Sequence, residues 1–408
     1  MNRRVTPPAT LCLILALPVL TSSNVLLAGE QPERPQLSEV GSGVVSLDIY
    51  AQDATVDLLT TTREGETLEL RHQRSRDGGK SWGTSHVINV HQPISIARRG
   101  NEPQVVAHGE HVAVHWSTHG ESRFGAGSMA TSVSHDAGRT WTPSRNPTGD
   151  EANTAQNFSD MTADPDGNFY ASWIGSHDQD IAGRGLVVAR STDFGETWEL
   201  SQLVDTSSCA CCWNKMIAPR PGQVHVLYRD YGIRDMALAS TNDTGEHWEL
   251  MSPVGEFSWE FHGCPHVGGG IAVTQQRGDE QLHALVWTGH EKRPGLYWVR
   301  STDGGNSWSE PHRMGGGLAR HADLGASGRT LVAAWDETRA ILTSASHDEG
   351  TSWSEPHRVS TYDAAASHPV VIHTGEDFLV FWTERGASGR LQWRSYVLGA
   401  HDETSSQR

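Results

Sequence analysis

The sequence predicts an all-β, single-domain fold in which four-stranded units repeat around a ring, a β-propeller. Three observations predict it. An octapeptide of pattern Ser/Thr-x-Asp-x-Gly-x-Thr/Ser/His-Trp occurs six times, at Ser75 to Trp82, Ser134 to Trp141, Ser191 to Trp198, Thr241 to Trp248, Ser301 to Trp308 and Ser346 to Trp353. The copies start 45 to 60 residues apart, the period of supersecondary units that need neighbours to bury a face. Between copies, short apolar runs ending in Trp or Tyr alternate with turns marked by Gly and Asp.

In chain order, residues 1–28 read as a secretory signal: Arg3 and Arg4, an apolar core from Leu11 to Leu20, and Leu26-Leu27-Ala28 before Gly29. Residues 29–40 are a Pro- and Glu-rich lead-in, and residues 41–408 form the propeller. Third strands run into the octapeptides near Leu68, Ser128, Leu186, Met236, Tyr297 and Leu342, and a seventh without one lies at Leu391 to Tyr396. Second strands end at Thr62, Trp116, Trp173, Tyr228, Trp287, Trp335 and Trp382. The pattern therefore gives seven blades, the last completed by an N-terminal segment that removes an exposed edge. Six blades with an irregular N-terminal hairpin is the alternative.

The net charge of −17 argues against nucleic acid or an anionic membrane as partner. After the leader no segment approaches the ~20 apolar residues of a membrane helix, so no membrane insertion is expected. The expected location is the periplasm or beyond the cell.

Within each octapeptide the Asp beside a Gly suits a tight hairpin, because the carboxylate accepts nearby backbone hydrogen bonds and Gly tolerates positive φ. These copies resemble Asp boxes, the bacterial neuraminidase repeat of sialidase-like propellers. The resemblance covers nearly all of the mature chain. It implies that the boxes are structural and lie opposite the functional face, and it suggests an exo-alpha-sialidase acting on an acidic glycan. Such an enzyme uses three arginines, a Tyr activated by a Glu, and an Asp acid/base. Arg229 resembles one clamp arginine, with Arg339 and Arg385 as further candidates. Asp160, Asp336, Glu337 and Tyr362 are the candidate catalytic residues. The sequence departs from the family at Ser367-His368-Pro369, where the nucleophilic Tyr would open the last innermost strand.

Two sets of positions converge on the face opposite the boxes. The first, at the starts of innermost strands, is Glu102, Asp160, Lys215, His266, His321 and His368. Glu102 and Lys215 are candidate ligand-binding groups, and the three imidazoles are candidate metal ligands. The second set follows the second strands and includes His177, Asp178, Arg229, Tyr231, Asp336, Glu337, Arg339 and Arg385.

Four cysteines follow the leader. Cys209, Cys211 and Cys212 precede the innermost strand of the fourth blade, and Cys264 occupies the same place in the fifth. One reading is a disulfide between the two loops plus a second bond within Cys209 to Cys212, with a vicinal Cys211–Cys212 ring as a variant. The other is a soft-metal site for copper or zinc formed with His266.

The leading expectation is an exported propeller that binds or hydrolyses an acidic glycan or other small anionic ligand, with no cofactor required. The alternative is a periplasmic copper- or zinc-binding propeller using the same face. A propeller that docks another protein is a third use of such a scaffold.

Overall fold

The computed structural model describes residues 40–94, 99–119, 126–149, 156–175, 184–276, 279–386 and 391–399. Of the leader and lead-in expected over residues 1–40, residues 1–39 lie outside this set, as do His177 and Asp178, and Val40 opens a strand instead of ending the lead-in. Among the described residues every regular element is a strand, and the strands form seven four-stranded antiparallel sheets. The innermost strands are Val44–Gln52, Gln104–His108, Asn157–Ala163, Lys215–Arg220, Gly270–Gln276, Arg320–Ser327 and Ala365–His373. Each neighbours the next, and the first neighbours the last, so the blades close into a ring.

Closure is the feature the strand grammar required. In blades 1 to 6 the four strands follow in chain order, but in blade 7 Val40–Ser42 pairs with Leu391–Gly399 as the outermost strand. Seven blades, not six, is therefore the architecture. Seven apolar clusters lie one at each blade interface; that between blades 7 and 1, for example, joins Leu47, Ile49 and Leu58 to Leu379, Phe381 and Trp393.

The octapeptides are the hairpins between third and fourth strands. In the first, Asp77 accepts the hydroxyl of Ser75 at 2.7 Å and the amide of Ser81 at 2.8 Å, while Gly79 N–H donates to Ser75 Oγ at 2.9 Å. The position after the Asp is left-handed in all six, even where it is Ala137, Phe194, Thr244 or Glu349. The following Gly is demanded by packing as well as by φ: a Cβ on Gly350 would sit 2.0 Å from the Trp298 ring. Box tryptophans such as Trp141, Trp198 and Trp353 pack against the interface clusters. This hairpin end is the bottom of the propeller. The connections into each innermost strand, and those between second and third strands, are at the top.

Candidate functional site

The top of the channel is built on a girdle of charge. Asp48, Asp160, Lys215 and Asp323 stand at one repeat position, on the innermost strands of blades 1, 3, 4 and 6. The three carboxylates clasp neighbouring blades. Asp48 accepts the amide of Val105 at 2.8 Å, Asp160 that of Met216 at 2.6 Å, and Asp323 that of Val371 at 2.8 Å. Burial would lower the Lys215 ammonium, but Asp323, Asp160, Asp48 and Glu102 around it raise it beyond the ordinary lysine range. Burial pushes Asp48 up to about 7 and also raises Asp160 and Glu102, opposed by Lys215 and, for Glu102, by Arg99.

Above the girdle is a cavity of about 70 Å³ lined by Arg99, Glu102, Asp160, Trp213, His321 and His368 among others. That is far below the roughly 300–1,000 Å³ of a small-molecule site. Arg99 crosses it, pairing with Glu102 at 3.1 Å and donating to the carbonyls of Leu47, at 2.7 Å, and His368. Below the girdle the channel widens to about 420 Å³.

Trp213 plugs the mouth. Its ring lies 5.8 Å from His266, 5.6 Å from His321 and 5.7 Å from His368. Two glycines make its seat: a Cβ on Gly268 would fall 2.1 Å from the indole nitrogen, and one on Gly100 2.6 Å from the ring. The three histidines all take left-handed backbone, with φ between 46° and 55°, a conformation costly for residues with a Cβ. They do not meet at one point. His321 and His368 stack at 3.9 Å, whereas His266 Nδ1 bonds to the carbonyl of Cys211 at 2.9 Å. Counted back from the girdle, His321 and His368 occupy one repeat position with Trp213, and His266 lies two residues earlier. Asp336 joins the stacked pair: Oδ2 is 2.7 Å from His321 Nδ1 and accepts the His368 amide at 3.0 Å. The His368 ring is held neutral chiefly by burial, and neither of its buried nitrogens has a hydrogen-bond partner among the described residues.

The cysteine loops meet beside this mouth. Cys211 and Cys264 form a disulfide joining the entries to blades 4 and 5, the first of the two expected bonds. The second is not formed: Cys209 and Cys212 are free and buried, with Sγ atoms 3.6 Å apart, and the vicinal ring is absent because Cys211 is committed elsewhere. The hydrogen bond shared with Cys212 pulls Cys209 down to about 6 despite burial, helped by Arg234 and Arg229, and burial moves Cys212 up.

Arg229 is not at the surface. It is 1 % exposed, and its guanidinium donates to the carbonyls of Val267 at 3.3 Å, Trp287 at 3.0 Å and Arg234. Its five donors are largely spent on backbone, so the clamp role suggested by the family does not match its placement. Tyr362 is 88 % exposed with Arg358 4.3 Å over its ring, and among the described residues no Glu is hydrogen-bonded to it. Glu337 accepts the amide of Gly316 at 3.0 Å. Arg339 and Arg385 are exposed on separate blades. The structure thus gathers Glu102, Asp160, Lys215, His321, His368 and Asp336, and leaves the arginines and Tyr362 dispersed.

Arg99, Trp213, Asp48 and Asp323 also belong to this site, beyond the candidates the sequence offers. Asp48 and Asp323 sit at the Asp160 repeat position, each followed by an apolar residue, and that alignment was the available signal. Trp213 had a similar one, because it shares the repeat position of His321 and His368.

The chain resembles solved propellers over most of its length. An ulvan lyase of a polysaccharide lyase family superposes with a TM-score of 0.61 at 12% identity, over 89% of this chain and 96% of that one. A second polysaccharide lyase gives 0.59 at 10%, over 87% and 90%. A sialidase from Trypanosoma rangeli gives 0.48 at 11%, over 88% and 55%. At such identities the likeness is one of fold. No curated protein sequence matches. The signature of the BNR repeat-like domain matches residues 60–314, more than half of the 408. With six Asp boxes and a closed ring of blades already in place, the chain belongs to the BNR repeat-like domain family.

Proposed function

We propose that this protein binds an acidic carbohydrate across the top-face loops of blades 4 to 7. One observation carries the reading. Those loops expose three aromatic rings, Tyr231, Phe261 and Tyr362, at 60 %, 41 % and 88 %, interspersed with the exposed cations Lys292, Arg293, Arg320, Arg339 and Arg385. Among the described residues the exposed carboxylates nearby are Glu256, Glu260, Glu291 and Asp363. The sector is therefore near charge balance in a chain of −17. Rings with an apolar face stack on sugars, and guanidinium forks grip carboxylate or sulfate. The ulvan lyase neighbour solved with a GlcA(1-4)Rha3S unit is an acidic-glycan precedent on the same fold. Sialidase-type cleavage is not part of the proposal, since the buried Arg229 and the unpaired Tyr362 do not supply its chemistry. Calorimetry with oligosaccharides of sulfated or uronate-bearing polysaccharides tests it. Binding weakened about tenfold by Tyr231→Ala or Phe261→Ala is expected, and no binding to any acidic glycan overturns it.

A second reading is supported by His368. Its two unpartnered ring nitrogens lie in a group with His321 and Asp336 whose donor atoms fall within 4.8 Å of one another, a set suited to copper or zinc. Elemental analysis of purified protein tests it: about one equivalent of metal, lost in His321→Ala with His368→Ala, is expected, and metal-free protein overturns it. Export, read from residues 1–28, is part of both readings, and fractionation of cells for the processed chain checks it.

A further inference from the structure

A carbohydrate-binding top face leaves the cysteine loops without a purpose, and their geometry is specific. Cys209 Sγ lies 3.5 Å from Cys211 Sγ and 3.6 Å from Cys212 Sγ, and Cys211 is bonded to Cys264. Cys209 and Cys212 are each 1 % exposed, whereas Cys264 is exposed. A free sulfur is thus in near-attack range of a disulfide sulfur, with a second free sulfur 3.6 Å from the first.

We propose that the four cysteines form an internal thiol–disulfide exchange relay, in which the Cys211–Cys264 bond between blades 4 and 5 is handed to the buried Cys209–Cys212 pair. The reaction goes beyond carbohydrate binding and does not depend on it. In the first step the Cys209 thiolate attacks Cys211 Sγ. A Cys209–Cys211 bond forms, the Cys211–Cys264 bond breaks, and the electron pair leaves on Cys264, which takes a proton from solvent. In the second step Cys212, its proton released to solvent, attacks Cys209 Sγ. A Cys209–Cys212 bond forms, and Cys211 departs as a thiolate and is protonated. One disulfide and two thiols are present throughout, so no oxidant is consumed.

Two features favour this chemistry. Cys209 is the better nucleophile of the pair, because its hydrogen bond with Cys212 favours the thiolate and the positive charges of Arg234 and Arg229 lie near. Cys209 and Cys212 also have Cys-x-x-Cys spacing, so that their bond closes a small ring within one loop. Exchange replaces a bond that ties two blade entries together by one within a single loop. It leaves Cys264 as an accessible thiol on the top face, open to an external disulfide or electrophile.

The test uses the full, never-reduced chain in its folded state. It is incubated with N-ethylmaleimide, digested without reduction, and its labels and disulfides are mapped by mass spectrometry. Label on Cys211 and Cys264, together with a Cys209–Cys212 disulfide, is expected. In Cys209→Ser the Cys264 label should fall at least about tenfold, because the first nucleophile is gone. Should that variant not fold, Cys212→Ser should stall as a Cys209–Cys211 disulfide with label on Cys264. Label confined to Cys209 and Cys212, with every molecule keeping Cys211–Cys264, overturns the proposal. So does a folded Cys212→Ser protein with no label on Cys264.

Discussion

The carboxylate of Asp323 accepts the amide hydrogen of Val371 at 2.8 Å, tying the innermost strand of blade 6 to that of blade 7. Asp48 and Asp160 do the same for blades 1 and 3. A propeller has to satisfy innermost-strand amides that face a neighbouring blade across the narrow channel end. A carboxyl oxygen does this as an acceptor carried on the neighbouring strand, and Lys215 lies among the three. Asp323→Ala leaves the Val371 amide buried without its acceptor. A loss of about 2 kcal/mol is expected, with a smaller loss for Asp323→Asn, which keeps an acceptor. Denaturant unfolding of the two variants checks the order, and equal stability of Asp323→Ala and the parent chain would rule out the clasp.

Asp48 sets a pH dependence of its own. Its folded value of about 7 lies above the ordinary 3.8, chiefly through burial, with Lys215 opposing and Asp160 adding to the rise. The folded state therefore holds this proton more tightly than the unfolded chain. Its contribution is fully present below pH 3.8 and is lost as pH rises through about 7. The box carboxylates act in another window. Asp77 is held at about 2 by hydrogen bonds from Ser81 and Ser75, so its contribution is present above 3.8 and lost as pH falls through 2. Thermal melts between pH 4 and 8 should show a shallower decline for Asp48→Asn than for the parent. An unchanged slope would mean that Asp48 stays ionised in the folded protein.

The fold was legible because its determinants are local and repeated. Gly79, Asp77 and Trp82 announce a hairpin wherever they recur, and Trp116, Trp173 and Trp335 mark the strand ends between hairpins. Even the borrowed strand Val40–Ser42 followed from the missing fourth strand of blade 7. The site was legible only as a set of positions. His321 and His368 were placed together by ring closure, but a shift of two residues sends His266 to a carbonyl of the cysteine loop. No local pattern reveals such a shift. Arg229 was misleading for a related reason. A lone Arg at a strand end looks the same in sequence whether it faces a ligand or three backbone carbonyls of neighbouring loops.

That distinction gives a measurable outcome for Arg229. Removing a ligand clamp leaves the fold intact, whereas removing a buried donor fork strands several carbonyls and the packing on Trp259, 5.5 Å away. Arg229→Ala should lower stability by about 3 kcal/mol, and Arg229→Lys should recover little, because a point ammonium cannot span three acceptors. A folded Arg229→Ala protein of parental stability that has lost glycan binding would restore the clamp role.

The bridge between blades 4 and 5 sets a last expectation. Cys211 and Cys264 are 53 residues apart, and constraining a loop of that length in the unfolded chain is worth up to about 4 kcal/mol. Cys264→Ser should lower stability toward that limit in denaturant unfolding followed without reductant. The loss should be partial if Cys211 then bonds to Cys209, because that ring is too short to restrain the unfolded chain much but still fixes the loop entering blade 4. Circular dichroism shows whether the propeller persists, and non-reducing peptide maps show which sulfur Cys211 has taken. A Cys264→Ser protein as stable as the parent would show that the inter-blade bond contributes nothing to holding the ring.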